Sequence, residues 1–358
     1  MIPKKLLPRE KTSKVLVGNV ELGGGSPISV QSMAKAFTTD IDAVLAQCES
    51  VHRAGGDIMR VSVPDVTAAT ALKRIIANSP IPIIADIHFD YRLALAALEA
   101  GVHKLRINPG NIGSSENVKI VAKEAKTRNV PIRIGVNAGS MPKDILQKYG
   151  KLCPQAMVDA AKREIFTILE TGFDKIVVSL KSSSPALTIE SNKLFAKKFK
   201  YPLHLGVTEA GFGMQGIIAS TIGLAPLLSA GIGDTIRISL TEPPEKEVIV
   251  GREILRFLEL RKYGPRVISC PTCGRTEVDV SAIARDVWDR IKKLDCDITM
   301  AVMGCVVNGP GEAREADIGV ACGPGAGLIF SKGEQVRKVS EDEIVDALVD
   351  EVGKIDGE

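Results

Sequence analysis

Cys270-Pro-Thr-Cys273 places two thiols on a tight turn, and such a pair can chelate one metal ion, anchor the edge of a cluster or cycle as a redox dithiol. The pair alone does not choose among these. A third thiol follows in Gly304-Cys305-Val-Val-Asn308-Gly309-Pro310-Gly311-Glu312, where glycine lets the backbone come close to a bulky inorganic group. Structural zinc usually takes two ligand pairs, and the chain has no second C-x2-C and no H-x3-H. Three cysteines with a non-thiolate fourth ligand, Glu312 standing close behind them, suit a [4Fe–4S] centre better. Of the other thiols, Cys296 lies between Asp295 and Asp297, whose charge disfavours a thiolate, and Cys322 reads as a half-buried strand end. Cys48 and Cys153 read as small buried hydrophobes.

A second set of residues falls at the ends of strand-like runs: Arg60; Asp86 and His88; Arg106 and Asn108; Arg133 and Asn137; Ser179 and Lys181; His204; Thr208 and Glu209; Arg237 and Ser239. Side chains alternate along a strand, so 86/88, 106/108, 179/181 and 237/239 each share one face. Four arginines and a lysine against one aspartate and one glutamate are costly to bury unless a polyanion compensates them. A phosphorylated or diphosphorylated small molecule is expected there. His88 and His204 are candidates for substrate contact or proton transfer, whereas His52 and His103 read as surface or capping residues. Asp86 and His88 are too few to specify a metal site.

The elements that must position these residues repeat regularly. Strand-like runs occur at 28–32, 58–63, 82–87, 104–108, 131–136, 175–180, 202–207 and 235–240, with amphipathic helical segments between them. A glycine precedes the second, fourth, sixth and eighth runs (Gly55, Gly101, Gly172, Gly231), as a left-handed helix cap requires. The others start beside Pro27, Pro82, Pro131 and Pro202. Eight βα units predict a (β/α)8 TIM barrel, closed by a helix over 245–262, whose chemistry gathers at the C-terminal ends of the strands. An open doubly wound sheet is the alternative, but Gly23-Gly24-Gly25 precedes the first strand, where a phosphate loop would follow it. The composition shifts after Gly264-Pro265, giving an expected barrel over 1–264 and a smaller α/β domain over 265–358, with a helix at 281–294 and a strand at 298–303.

With 358 residues, 45% of them hydrophobic and 25% charged, the chain can bury two cores. A net charge of +3 without a dense Lys/Arg run lacks the footprint of a nucleic-acid binder. The basic N-terminus has no apolar segment of the signal-peptide kind, and no apolar run is long enough to span a membrane. A cytoplasmic location is expected, and seven cysteines then do not read as a disulfide framework.

Ser269-Cys-Pro-Thr-Cys-Gly274, Met303-Gly-Cys-Val-Val-Asn-Gly-Pro-Gly-Glu312 and Arg106-Ile-Asn-Pro-Gly-Asn111 resemble motifs of the 4-hydroxy-3-methylbut-2-enyl diphosphate synthases of the methylerythritol phosphate route to isoprenoids, over nearly the whole chain in its compact two-domain form. The resemblance implies a [4Fe–4S] cluster on Cys270, Cys273, Cys305 and Glu312, and reductive opening of 2-C-methyl-D-erythritol 2,4-cyclodiphosphate with loss of water. It also implies electrons from flavodoxin or ferredoxin, and a head-to-tail homodimer in which one subunit's cluster covers the other's barrel mouth. A carboxylate binds iron less firmly than thiolate, so Glu312 can give way to a substrate oxygen. Glu209 matches the family's proton donor. Arg60, Arg106, Arg133, Asn137, Lys181, Arg237 and Ser239 would grip the diphosphate. The alternative reaction class is a phosphate-binding barrel of the pterin-binding or aldolase kind with a structural metal domain; a non-enzymatic alternative is an iron–sulfur sensor binding RNA or a protein.

Overall fold

Parallel strands covered on both faces must be apolar outward and filled inward, and the first two-thirds of this chain meet that demand. The structure is a computed structural model and describes residues 8–108, 112–294 and 296–355; the end of the Arg106–Asn111 motif lies outside the described residues. Two short strands, β1 (Val15–Val17) and β2 (Val20–Leu22), pair as an antiparallel hairpin. Then come β3 (Ser29–Met33), α1 (Ile41–Arg53), β4 (Ile58–Val63), α2 (Val66–Asn78), β5 (Ile83–Ile87), α3 (Tyr91–Glu99), β6 (Lys104–Ile107), α4 (Ser115–Thr127) and β7 (Ile132–Asn137). The set continues with α5 (Lys143–Tyr149), α6 (Pro154–Leu169), β8 (Ile176–Lys181), α7 (Pro185–Lys198), β9 (His204–Leu205), α8 (Gly213–Ser229), β10 (Thr235–Ile236) and α9 (Pro244–Phe257).

Local chemistry fixes where the helices begin and end. Asp40, Asp65, Asp90, Ser114 and Ser184 each accept a backbone N–H at the start of α1, α2, α3, α4 and α7. Gly55, Gly101, Gly172 and Gly231 take positive φ where the preceding helices stop, as their positions in the sequence suggest.

The eight strands form one parallel sheet in the order β8-β7-β6-β5-β4-β3-β10-β9. It closes on itself: Val178 bridges Leu203, Val178 N donates to Pro202 O at 2.9 Å, and Thr208 N donates to Ser182 O at 3.1 Å. The expected (β/α)8 barrel is therefore the observed fold, and the open sheet is excluded. The last two strands are shorter than the 202–207 and 235–240 runs, although Arg237 N still donates to Leu205 O at 3.0 Å beyond them. A side chain at position 206 would strike Arg237 O and Lys181 Nζ, each 2.6 Å from the place of its Cβ, so the chain passes tightly here on glycine. The hairpin, absent from the sequence reading, packs Val15, Val17 and Leu22 against the inward Ile58, Ile84 and Val177, and so plugs the N-terminal end of the barrel.

The chain divides into two compact units, one ending at Arg261 and the other beginning at Lys262. The second holds β11 (Arg266–Ser269), α10 (Val280–Ile291), β12 (Thr299–Met303), α11 (Gly309–Glu315), β13 (Ile318–Gly323), β14 (Ala326–Ser331), β15 (Glu334–Ser340) and α12 (Ile344–Ile355). Its sheet runs β11-β12-β13-β14-β15, parallel over the first three strands and antiparallel over the last two. Val280, Val287 and Ile291 of α10 and Ile344 and Leu348 of α12 share one core with Val302, Val320 and Ile329 of the sheet. Among the described residues no helix is long and apolar enough to cross a membrane.

Candidate active site

Above the apolar plug, the bore of the barrel is filled with charge. Asp86, only 4% exposed, takes Arg106 Nη1 at 2.8 Å and Arg60 Nε at 3.5 Å, while His88 Nε2 lies 2.6 Å from Arg106 Nη1 and 3.4 Å from Asp86 Oδ1. Burial pushes the Asp86 carboxyl up, but Arg60, His88 and Arg106 together outweigh it and hold it well below the usual carboxylate range. Arg60, buried, is pushed down to about 10 by desolvation against the pull of Asp86, so it remains charged at neutral pH. Arg133 and Lys181 are also buried, and desolvation together with the neighbouring guanidinium groups drives both below their ordinary values. Gly135 lets Arg106 lie across the bore, since a Cβ there would stand 2.7 Å from Arg106 Nε.

The remaining sequence candidates flank this charge. Asn108 donates to Ser140 Oγ at 2.9 Å, and Asn137 ends β7 beside Lys181 in register. Arg237 is held by Glu247 through Nε at 3.1 Å and Nη2 at 3.0 Å. Ser239 and Thr208 are half-buried in the segments following β10 and β9. Glu209 is exposed and takes φ +54°, a left-handed conformation uncommon for non-glycine residues. His204 starts β9 instead of ending it, so it lies deeper than the other candidates; burial, reinforced by Lys181, Arg133, Lys104 and Arg60, drives its imidazole well below the ordinary value. His103, read as a capping residue, accepts the Ile83 N–H on Nδ1 at 3.0 Å.

Four polar residues of this region escaped the sequence reading. Lys104 and Gln31 are fully buried on the inner face, and Glu247 and Lys35 form an ion pair at 2.8 Å. Lys104 stands two residues before Arg106, so the same alternation that paired 106 with 108 points to it. Glu247 sits on a helix and carried no strand signal.

In the second unit the cysteine loops are laced together at the C-terminal ends of β11 and β12. Gly304 N donates to Cys270 Sγ at 3.4 Å, Glu277 N to Gly304 O at 3.0 Å, and Cys273 N to Thr276 Oγ1 at 3.0 Å. Backbone N–H groups of Val307 and Asn308, with the nearby Arg275 and the Gly309 N–H, lower the Cys305 thiol toward the thiolate. Glu312 is exposed in the first turn of α11. Among the described residues no three His, Cys, Asp or Glu side chains gather closely enough for a single ion. The loops carrying Cys270, Cys273 and Cys305 are tied together through Gly304 and Glu277 at one end of the sheet, and thiolate-forming cysteines on such loops are a donor set that suits an iron–sulfur group. Cys322 is buried in β13, where desolvation first and then Glu341 and Cys270 push its thiol up to about 12. Cys48 is likewise buried in α1, and Cys296 is half-buried against the core of this unit.

The barrel matches the GcpE TIM-barrel domain over residues 12–252, and the second unit matches the GcpE protein C-terminal domain over residues 266–354. The 4-hydroxy-3-methylbut-2-en-1-yl diphosphate synthase (flavodoxin) of Clostridium acetobutylicum is 54% identical over 346 residues, which cover 97% of this chain and 99% of that protein. The enzyme of the same name from Geobacter sulfurreducens is 52% identical over 347 residues, 97% of this chain and 98% of that one. Among solved structures, the dihydropteroate synthase of Yersinia pestis with a sulfonamide drug superposes with a TM-score of 0.50 at 11% identity, covering 69% of this chain and 98% of that one. That likeness concerns the barrel fold alone. The chain belongs to the GcpE family, the 4-hydroxy-3-methylbut-2-en-1-yl diphosphate synthases of isoprenoid precursor biosynthesis.

Proposed function

We propose that residues 1–264 form a barrel that binds 2-C-methyl-D-erythritol 2,4-cyclodiphosphate, and that residues 265–358 carry the redox group that opens it to 4-hydroxy-3-methylbut-2-enyl diphosphate. The observation that carries this reading is the bore itself: Arg60, Arg106, Arg133, Lys181 and Arg237 share it, with Asp86 as the acid at their centre. Two phosphate groups supply the missing negative charge. Asp86 and Glu247 hold Arg106 and Arg237 in place before the ligand arrives, so little ordering remains to be done on binding. Asn108, Asn137 and Ser239 offer neutral hydrogen bonds to the phosphate oxygens, and His88 and Thr208 to the hydroxyls.

Cys270, Cys273, Cys305 and Glu312 are the residues that would hold a [4Fe–4S] cluster, which when bound supplies two electrons one at a time, received from flavodoxin or ferredoxin. Glu209, at the barrel mouth, gives the proton that lets a hydroxyl leave as water. Its left-handed backbone turns it out of the strand path. Phe37, Phe89, Phe212 and Met214 are exposed in or beside the loops that follow the strands, and Val306 and Val307 are exposed beside Cys305. These apolar surfaces support a head-to-tail homodimer in which the cysteine loop of one subunit covers the mouth of the other.

Anaerobically purified Glu209→Gln protein is expected to stay brown with full iron content while losing nearly all turnover. Cys305→Ser is expected to lose the cluster. Near-normal turnover in the glutamine variant would remove Glu209 from the acid role, and a colourless, zinc-loaded, fully active wild type would overturn the reading as a whole.

A further inference from the structure

Beneath the arginines lies a layer of polar side chains that the proposed chemistry leaves unused. Lys104 and His204 are fully buried, and Lys104 Nζ and His204 Nε2 have no hydrogen-bond partner among the described residues. The same holds for both amide atoms of the fully buried Gln31 and for Nε and Nη1 of Arg133, which is 1% exposed. Buried polar atoms are almost always paired, and an unpaired ammonium is among the most costly groups to bury. Several such atoms lie among the cations of the bore, and the donors of Lys104 and Arg133 call for a ligand that brings acceptors with it.

The groups around Lys104 decide what that ligand must be. Arg60 on β4 and Arg133 on β7 are its nearest charges, and both are positive. Lys181 on β8 and Arg237 on β10 add further positive charge higher in the bore, with His204 on β9 and Gln31 on β3 neutral. Asp86 on β5 is the acid of the bore, and it is already bound to Arg60 and Arg106. Glu247 on α9 is likewise taken by Arg237 and Lys35, so among the described residues no carboxylate pairs with Lys104.

We infer that Lys104 is a further binding residue of the diphosphate site, an amine in the empty barrel that takes up a proton and becomes an ammonium ligand when the dianion enters. This rests on the cyclodiphosphate reading above. Burial, aided by Arg133 and Arg60, drives Lys104 well below its ordinary value, which agrees with the neutral form in the empty state. A bound phosphate oxygen reverses the balance by supplying both the opposite charge and the missing acceptor. The cation surplus of the empty barrel is thereby smaller than the residue count suggests, and the site charges fully only when there is something to hold.

The test is calorimetric titration of the oxidised, cluster-loaded, full-length protein with 2-C-methyl-D-erythritol 2,4-cyclodiphosphate, without reductant, in two buffers of different ionisation enthalpy. Each phosphorus of this cyclic ligand carries a single acidic oxygen that is ionised far below neutral pH, so a proton taken up at pH 7 goes to the protein. Wild type is expected to take up about one proton per ligand. Lys104→Met is expected to lose that uptake, to bind about tenfold to a hundredfold more weakly, and to melt no lower than wild type, because a thioether of similar length replaces an unpaired polar group. Binding by wild type with heats that do not depend on buffer would overturn the inference while leaving the proposed substrate standing. Undiminished uptake in Lys104→Met, or a lower melting temperature with unchanged affinity, would also overturn it. Failure of wild type to bind the cyclodiphosphate at all would overturn both. Should the methionine variant not fold, Lys104→Gln takes its place with the same expected and overturning outcomes.

Discussion

Glu247 in α9 offers a perturbation whose size can be worked from the structure. Its Oε2 accepts from Ser32 Oγ at 2.8 Å and Arg237 Nε at 3.1 Å; its Oε1 accepts from Lys35 Nζ at 2.8 Å, Arg237 Nη2 at 3.0 Å and Leu240 N at 3.2 Å. In Glu247→Gln the amide nitrogen must replace one of these oxygens. At Oε1 it would confront three donors. At Oε2 it confronts two, and Ser32 can adapt, because its hydroxyl also reaches Pro244 O at 3.0 Å. The variant therefore loses one charge-assisted bond to Arg237 and the charge that balances Arg237 and Lys35, a cost of about 3 kcal/mol. For a domain of this size that lowers the melting temperature by about 6–12 °C.

The pH dependence of that loss has a definite sign. Burial pushes the Glu247 carboxyl up, but Arg237 and Lys35 outweigh it and its folded value lies below the ordinary one. Its stabilising effect is thus complete above the unfolded carboxylate range and fades only as pH falls through the lower folded value. Scanning calorimetry of the barrel transition should show a gap between wild type and variant that is constant from pH 8 to about 5 and closes only below that. A gap under about 2 °C at pH 7, or one that closes near neutral pH, would refute the assignment of Glu247 as the buried counter-charge that positions Arg237.

Gly304→Ala tests the cysteine loops, because its Cβ would fall 2.4 Å from Val280 Cγ2 and 2.8 Å from Thr276 Cγ2. A loss of about 1–3 kcal/mol in urea unfolding and a reduced iron content per chain are expected, and normal values for both would show that the loops yield freely. Val17→Ala removes a fully buried side chain from the hairpin plug. It should cost about 2–3 kcal/mol of stability with kcat unchanged, since the plug faces away from the mouth.

Most of the barrel was legible because each strand carries its own signal: an apolar outward face, an inward polar residue and a glycine or proline at the boundary. The seventh and eighth strands are shorter than their apolar runs, and the close passage of Gly206 by Arg237 O and Lys181 Nζ is a tertiary fact with no local mark. The β1–β2 hairpin escaped because three-residue strands are too short for alternation to register. The antiparallel β14 and β15 went unread for a different reason: β15 is largely polar and exposed, so it shows little apolar face to mark a strand. In the site, the alternation that marks Arg106 and Asn108 extends back to Lys104, but a lysine at the start of a strand reads locally as a solvent-exposed end. Glu247 acts from a helix across the barrel wall, where no sequence spacing connects it to Arg237.

By sealing the floor, the hairpin turns the barrel into a vessel with a single doorway. With the substrate bound in the bore as proposed, substrate, departing water and finished product would all use the same opening. Product still in the bore would then exclude the next substrate, and it is expected to inhibit competitively against the cyclodiphosphate. On that reading, any surface that closes over the doorway would have to lift once in every cycle.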